Sequence, residues 1–241
     1  MKRLLQVTFL LGNCFVSGAL ADPLKLISTS PEFWATNVNA PSQKKISLTF
    51  DQRLRSRLTD WVGLDVLSPP SDLQTTFSPD QMSCSIDVHL DPGRVYICAL
   101  NGRGIPGVGF QTEKGALLPP TFLVFQTAGT PTPDDAPPRV KGIIPTNGGQ
   151  IDPARTRAIV ITFDQPMGTK KHGLHVFENN SPVDLSKVPF TYAPDGRTLT
   201  LPYNFRPGTQ YRLELNSVSD VGFSRANRIP LWPVQISFTT G

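Results

Sequence analysis

Two stretches decide the fold: Ile46-Ser47-Leu48-Thr49-Phe50-Asp51 and, about 113 residues later, Ile159-Val160-Ile161-Thr162-Phe163-Asp164. Both have strand character, and both end on Thr-Phe-Asp. Working outward, each is preceded by an extended segment that ends in proline, Leu26-Ile27-Ser28-Thr29-Ser30-Pro31 and Val140-Lys141-Gly142-Ile143-Ile144-Pro145. Each is followed by a matching turn region, Ile86-Asp87-Val88-His89-Leu90-Asp91-Pro92-Gly93-Arg94-Val95-Tyr96 against Leu201-Pro202-Tyr203-Asn204-Phe205-Arg206-Pro207-Gly208-Thr209-Gln210-Tyr211. The halves close alike, on Phe125-Gln126-Thr127-Ala128-Gly129 and Phe238-Thr239-Thr240-Gly241. One unit therefore occurs twice.

Within a unit the apolar positions alternate, as in Cys84, Ile86, Val88, Leu90 and in Tyr96, Cys98, Leu100, the period of strands with one buried face. No segment has a convincing helical period, and 24 prolines with 19 glycines in 241 residues argue against a mostly helical chain. With 39% hydrophobic and only 17% charged residues, the chain is too apolar to be disordered. Short alternating runs between Pro, Gly, Asn and Asp describe an all-β sandwich. Tyr96 and Tyr211, each four residues after a proline, sit where a sandwich uses a tyrosine corner. Between the units, Thr130-Pro131-Thr132-Pro133-Asp134-Asp135-Ala136-Pro137-Pro138 reads as an extended spacer of up to roughly 28 Å, holding two independent cores apart.

These landmarks carry a resemblance. Each half resembles a bacterial Ig-like domain of the SbsA type, first named from surface-layer proteins. The second half matches through Pro145, the strand Ile159–Asp164, Gln165-Pro166-Met167, the turn Phe205–Tyr211, Asp220 and Phe238–Gly241. The first half has Arg53-Leu54 in place of Pro166-Met167, and Asn101-Gly102-Arg103-Gly104 near the position of Asp220. The resemblance implies two tandem Ig-like β-sandwiches acting as an extracytoplasmic structural or binding module, and it brings no catalytic residues.

Compartment is read from the first residues, where Lys2-Arg3, an apolar run from Leu4 to Leu11 and Ala19-Leu20-Ala21 have the three parts of a secretory signal. The expected organisation is a signal peptide over 1–21, one sandwich over 22–129, the Pro-rich linker over 130–138 and a second sandwich over 139–241. The protein is expected to be secreted or periplasmic, in the cell envelope; the alternative is a lipoprotein anchored through Cys14. The apolar run is too short to span a bilayer. Taking Lys2 and Arg3 from 23 basic residues leaves 21 against 19 acidic ones, so no excess of basic charge invites nucleic acid.

Cleavage after Ala21 leaves the even pair Cys84 and Cys98, for which we expect a disulfide worth about 3 kcal/mol. The alternative is that two buried thiols stand in for Leu199 and Leu213 of the second half. Gly102-Arg103-Gly104-Ile105-Pro106-Gly107 has dinucleotide-loop spacing, but no helix can start after it, so no nucleotide is expected. His172 and His175 lack a third ligand and read as solvent-facing, and Asp51, Asp164, Asp220, Asp134 and Asp135 do not form a calcium loop; neither metal nor cofactor is expected. Hydrolase, protease and P-loop motifs are absent, so the chain is read as a non-catalytic structural, adhesive or presentation module; the alternatives are a carbohydrate- or envelope-polymer-binding protein and an enzyme of unrecognised type. A protein or polysaccharide of the envelope is the expected partner. The remaining candidates for binding are Phe33 and Trp34, loop aromatics that replace Asn147-Gly148 of the second half and either grip a polysaccharide or pack on their own domain. Trp61 and Trp232 read as packing residues.

Overall fold

The computed structural model describes residues 22–55, 59–63, 71–101 and 109–241. The expected leader over 1–21, including Cys14, and the glycine run over 102–107 lie outside the described residues. All regular structure among the described residues is β-strand, arranged in four sheets. The first half contributes β1 (Leu26–Ser30), β2 (Ala35–Val38), β3 (Lys45–Phe50), β4 (Trp61–Gly63), β5 (Ser71–Phe77), β6 (Ser83–Val88), β7 (Val95–Leu100) and β8 (Thr121–Thr127). Their sheets run β1-β3-β6-β5 and β2-β8-β7-β4. The second half contributes β9 (Val140–Ile144), β10 (Gln150–Ile151), β11 (Ala158–Phe163), β12 (Leu174–Glu178), β13 (Ser181–Pro182), β14 (Thr191–Tyr192), β15 (Thr198–Pro202), β16 (Gln210–Leu215) and β17 (Val234–Thr240). These form the sheets β14-β15-β11-β9 and β10-β17-β16-β12-β13. The molecule is a tandem of two Ig-like β-sandwiches.

Both opening segments change sheets after their proline. β1 pairs antiparallel with β3, whereas β2 lies parallel to β8; likewise β9 pairs antiparallel with β11 and β10 lies parallel to β17. Alternation places Ile46, Leu48 and Phe50 in the first core and Ile159, Ile161 and Phe163 in the second, none more than 1% exposed. Burying a side chain of this size contributes about 1.5–3 kcal/mol. Pro92-Gly93 and Pro207-Gly208 do not close hairpins, because the strands on either side of each belong to opposite sheets. Gly93 needs its glycine twice over: its φ is +71°, and a Cβ there would lie 2.6 Å from the Thr130 carbonyl oxygen.

The polar framework is repeated as closely as the apolar one. The Tyr96 hydroxyl accepts the Asp91 N–H at 2.8 Å, and the Tyr211 hydroxyl accepts the Arg206 N–H at 2.7 Å, giving a tyrosine corner in each half. Asp51 and Asp164 end the Thr-Phe-Asp stretches by accepting the Lys25 and Arg139 N–H, both at 2.8 Å. Thr127 Oγ1 donates to the Asp91 carbonyl, as Thr240 Oγ1 does to that of Arg206. Asn101 and Asn216 are both buried with positive φ, and each ties three backbone groups of the loop that follows. Asn101 donates to the Phe110 and Leu118 carbonyls and accepts the Phe110 N–H; Asn216 does the same with Phe223, Leu231 and the Phe223 N–H, at 2.7–2.9 Å throughout. Buried backbone groups need such partners.

Candidate functional site

Where the two halves meet, the outer face of the first sandwich is apolar and covered. Val95 and Ile97 on β7 and Val124 on β8 cluster with Ile229 of the second sandwich, all at most 1% exposed, with Trp34, Phe122, Val221 and Trp232 around them. Strand β7 is consequently buried on both faces. Trp34 and Trp232 meet edge to face with centroids 5.6 Å apart, a favoured aromatic geometry. The Trp232 indole N–H donates to the Trp34 carbonyl at 2.9 Å, and the Phe122 N–H donates to the Val218 carbonyl at 2.6 Å.

The Pro-rich segment does not hold the sandwiches apart, as its composition suggests, but lies as a strap against them. The Arg225 guanidinium donates to the carbonyls of Pro133, Asp134 and Ala136 at 2.9–3.1 Å, and the Asn227 amide donates to that of Asp134 at 2.7 Å. Gln165 reaches the Ala136 and Pro137 carbonyls, and Arg94 of the first sandwich lies 3.8 Å from the Asp135 carboxylate. A proline-rich strand has few N–H groups of its own, so its carbonyls are free to take these donors. Beside the strap runs an open cleft of about 470 Å³ lined by Asn37, Gln126, Arg139, Gln165 and Trp232, among others.

The structure therefore places Phe33 and Trp34 in packing roles. Phe33 is half-buried against the first core, and Trp34 packs both on its own domain, beside Val95, Ile97 and Val124, and across the junction on Trp232. Trp61 packs edge to face on Phe110 inside the first sandwich. Trp232, read from its sequence context as an ordinary packing residue, makes the contact between domains.

The expected disulfide is not formed: Cys84 and Cys98 are both free, buried thiols in the first core. They stand on β6 and β7, in opposite sheets, where the second sandwich has Leu199 and Leu213. Burial pushes both thiols up to about 12, so the neutral, inert form is the one that fits.

His172 is partly buried rather than solvent-facing, whereas the His175 side chain is 43% exposed. His172 stacks on Phe190, and burial lowers its pKa; His175 Nε2 lies 3.2 Å from an Asp220 carboxylate oxygen. Among the described residues no three His, Cys, Asp or Glu side chains converge as a metal site. The aspartates weighed for calcium serve the backbone or the strap, Asp220 by accepting the Gly222 N–H at 2.8 Å and Asp135 by accepting the Thr132 hydroxyl at 2.8 Å. One cluster escaped the sequence reading. Glu178 accepts hydrogen bonds from the Tyr203 and Tyr211 hydroxyls at 2.9 and 3.3 Å, and Arg206 lies 3.5 Å from its other oxygen. Burial and this carboxylate raise the Tyr203 pKa, so the group acts as a neutral donor that braces the second tyrosine corner. No helix among the described residues is long and apolar enough to cross a membrane.

No sequence among the curated proteins matches the chain. Among solved structures, it is similar to an L,D-transpeptidase from Mycobacterium smegmatis, at 16% identity over 44% of this chain and 41% of that one, with a TM-score of 0.30. It is similar also to the N-terminal part of the bacterial S-layer protein SbsC, at 13% identity over 44% of this chain and 24% of that one, with a TM-score of 0.31. A tandem of titin Ig domains aligns over 90% of this chain and 96% of its own, at 12% identity and a TM-score of 0.27. The chain thus spans less than half of the transpeptidase and of the S-layer fragment. Residues 134–240, the second sandwich together with the end of the strap, match the family described as bacterial Ig-like domain.

Proposed function

We propose that the chain is a non-catalytic structural or adhesive module of a cell envelope, exported by the leader over 1–21. In this reading the sandwiches over 22–129 and 139–241 are two copies of the bacterial Ig-like domain that the family match identifies in the second, and the linker over 130–138 joins them. The observation that supports it is the common framework: tyrosine corner, threonine latch, aspartate and buried asparagine recur at matching positions in both halves. Such side chains build a fold and its loops; they are not arranged around a reacting group. A second reading, in which Phe33 and Trp34 grip a polysaccharide, has less support, because both rings are engaged in packing.

Export is tested by expressing the full chain in a bacterial host, fractionating the cells and sequencing the mature N-terminus. Recovery outside the cytoplasm with Asp22 first is the expected result, and an acylated Cys14 in the membrane fraction would replace the soluble form with the anchored one. Intact Met1 on a cytoplasmic protein would overturn the reading. Pull-down with cell-wall polysaccharide by the native protein and by Trp34→Ala tests the second reading, which stands only if the native protein binds and the variant does not.

A further inference from the structure

Trp34 occupies a backbone position that favours glycine. Its φ is +60°, in the left-handed region that L residues other than Asn and Asp rarely adopt. The second sandwich makes the same turn three residues after its own proline, and there the residue is Gly148, with φ +72°. The correspondence extends to the hydrogen bonds: the Trp34 N–H donates to the Val124 carbonyl on β8, and the Gly148 N–H donates to the Ser237 carbonyl at the matching place on β17. The first sandwich thus accepts a strained backbone at a turn that the second makes with glycine. The indole packs on the outer face of its own sheet, in the cluster of Val95, Ile97 and Val124, and reaches across it to Trp232, while the Trp34 carbonyl, aimed by the same turn, receives the Trp232 N–H.

We propose that Trp34, the strap over 130–138 and the small hairpin closed by Ser224 and Pro230 form a clasp that locks the two sandwiches into one rigid body at a fixed angle. The hairpin supplies Ile229 to the apolar seat on β7 and β8, and Arg225 and Asn227 from the same hairpin hold the strap. Seat and strap are therefore released together, in one cooperative opening that bares Val95, Ile97 and Val124. Strain held at one position by the surrounding structure is the mark of a site kept for a purpose other than local stability.

The decisive variant in the full chain is Trp34→Gly, which restores the residue of the second copy and removes the ring. NMR relaxation measured separately for amides of each sandwich reads the result. The native chain is expected to tumble with one correlation time and to unfold in one transition. Trp34→Gly is expected to keep both folds, shorten the correlation times, make those of the two halves unequal and split the unfolding into two steps. Trp61→Phe, inside the first core, is expected to lower stability without uncoupling the halves. Arg225→Gln, which leaves both cores intact, is a second route to the same uncoupling and carries the test should Trp34→Gly fail to fold. Unequal correlation times in the native chain, or a common one retained in Trp34→Gly and in Arg225→Gln, would overturn the clasp.

Discussion

Position for position, β7 and β8 of the first sandwich and β16 and β17 of the second change character on one face only. The inward residues are apolar in both, Tyr96, Cys98 and Leu100 against Tyr211, Leu213 and Leu215. The outward ones diverge: Val95, Ile97, Ala99, Phe122 and Val124 stand where the second sandwich has Gln210, Arg212, Glu214, Gln235 and Ser237. Arg212 lies over the Phe177 ring at 3.8 Å and pairs with Glu214, a face made for water. The inner face of each sheet thus encodes the fold, and the outer face encodes what lies against it.

The largest consequence concerns the halves in isolation. Residues 139–241 expressed alone should be soluble, monomeric and cooperatively folded, whereas residues 22–129 should fold with a bare apolar seat and self-associate. Sedimentation of the two fragments checks this, and equal solubility would break the contrast. Next come the asparagines that the halves share. Asn101→Ala and Asn216→Ala each orphan three buried backbone groups and should cost about 3 kcal/mol or more by chemical denaturation. Losses of similar size in the two halves would sharpen the view that one framework is used twice. Carrying a polar residue of the second sandwich into the first, as Ile97→Arg, should weaken the contact between sandwiches by about 2 kcal/mol while leaving the inner core packed. Scattering that shows an opened junction in this variant is the expected readout.

The smallest effects lie at the thiols. Cys84→Leu and Cys98→Leu place the second sandwich's residues in the first core and should change its stability by less than about 1.5 kcal/mol each. Unfolding without reductant should expose two thiols to labelling, where a bridge would leave none. A thiol in the unfolded chain ionises around 9, whereas burial holds both at about 12 in the folded one. Below 9 the first sandwich keeps its full stability, and it loses stability as pH rises from 9 towards 12. The leucine variants should flatten that loss.

The fold was legible because period-two alternation, a repeated tripeptide and two tyrosines at matching places each report on the inner faces. The junction was readable in part. Val95-Tyr96-Ile97-Cys98-Ala99-Leu100 is apolar at every position, which signals a strand buried on both faces, but following only Tyr96, Cys98 and Leu100 hides it. Asn101 and Asn216 each stand five residues after their tyrosine, yet only the folded loop shows which carbonyls they hold. The strap was misread for a physical reason: composition reports that a proline-rich segment has little to bury, but not that its unpaired carbonyls attract a guanidinium 89 or more positions away.

Because the seat belongs to the first sandwich and the plug to the second, the pair has a direction. A permuted chain with the second sandwich placed ahead of the first would present Arg212 and Glu214 to an incoming neighbour and leave Ile97 uncovered behind it. Two units of one design are in this sense not interchangeable parts. Their order along the chain is written on the surfaces that their common fold leaves free to vary.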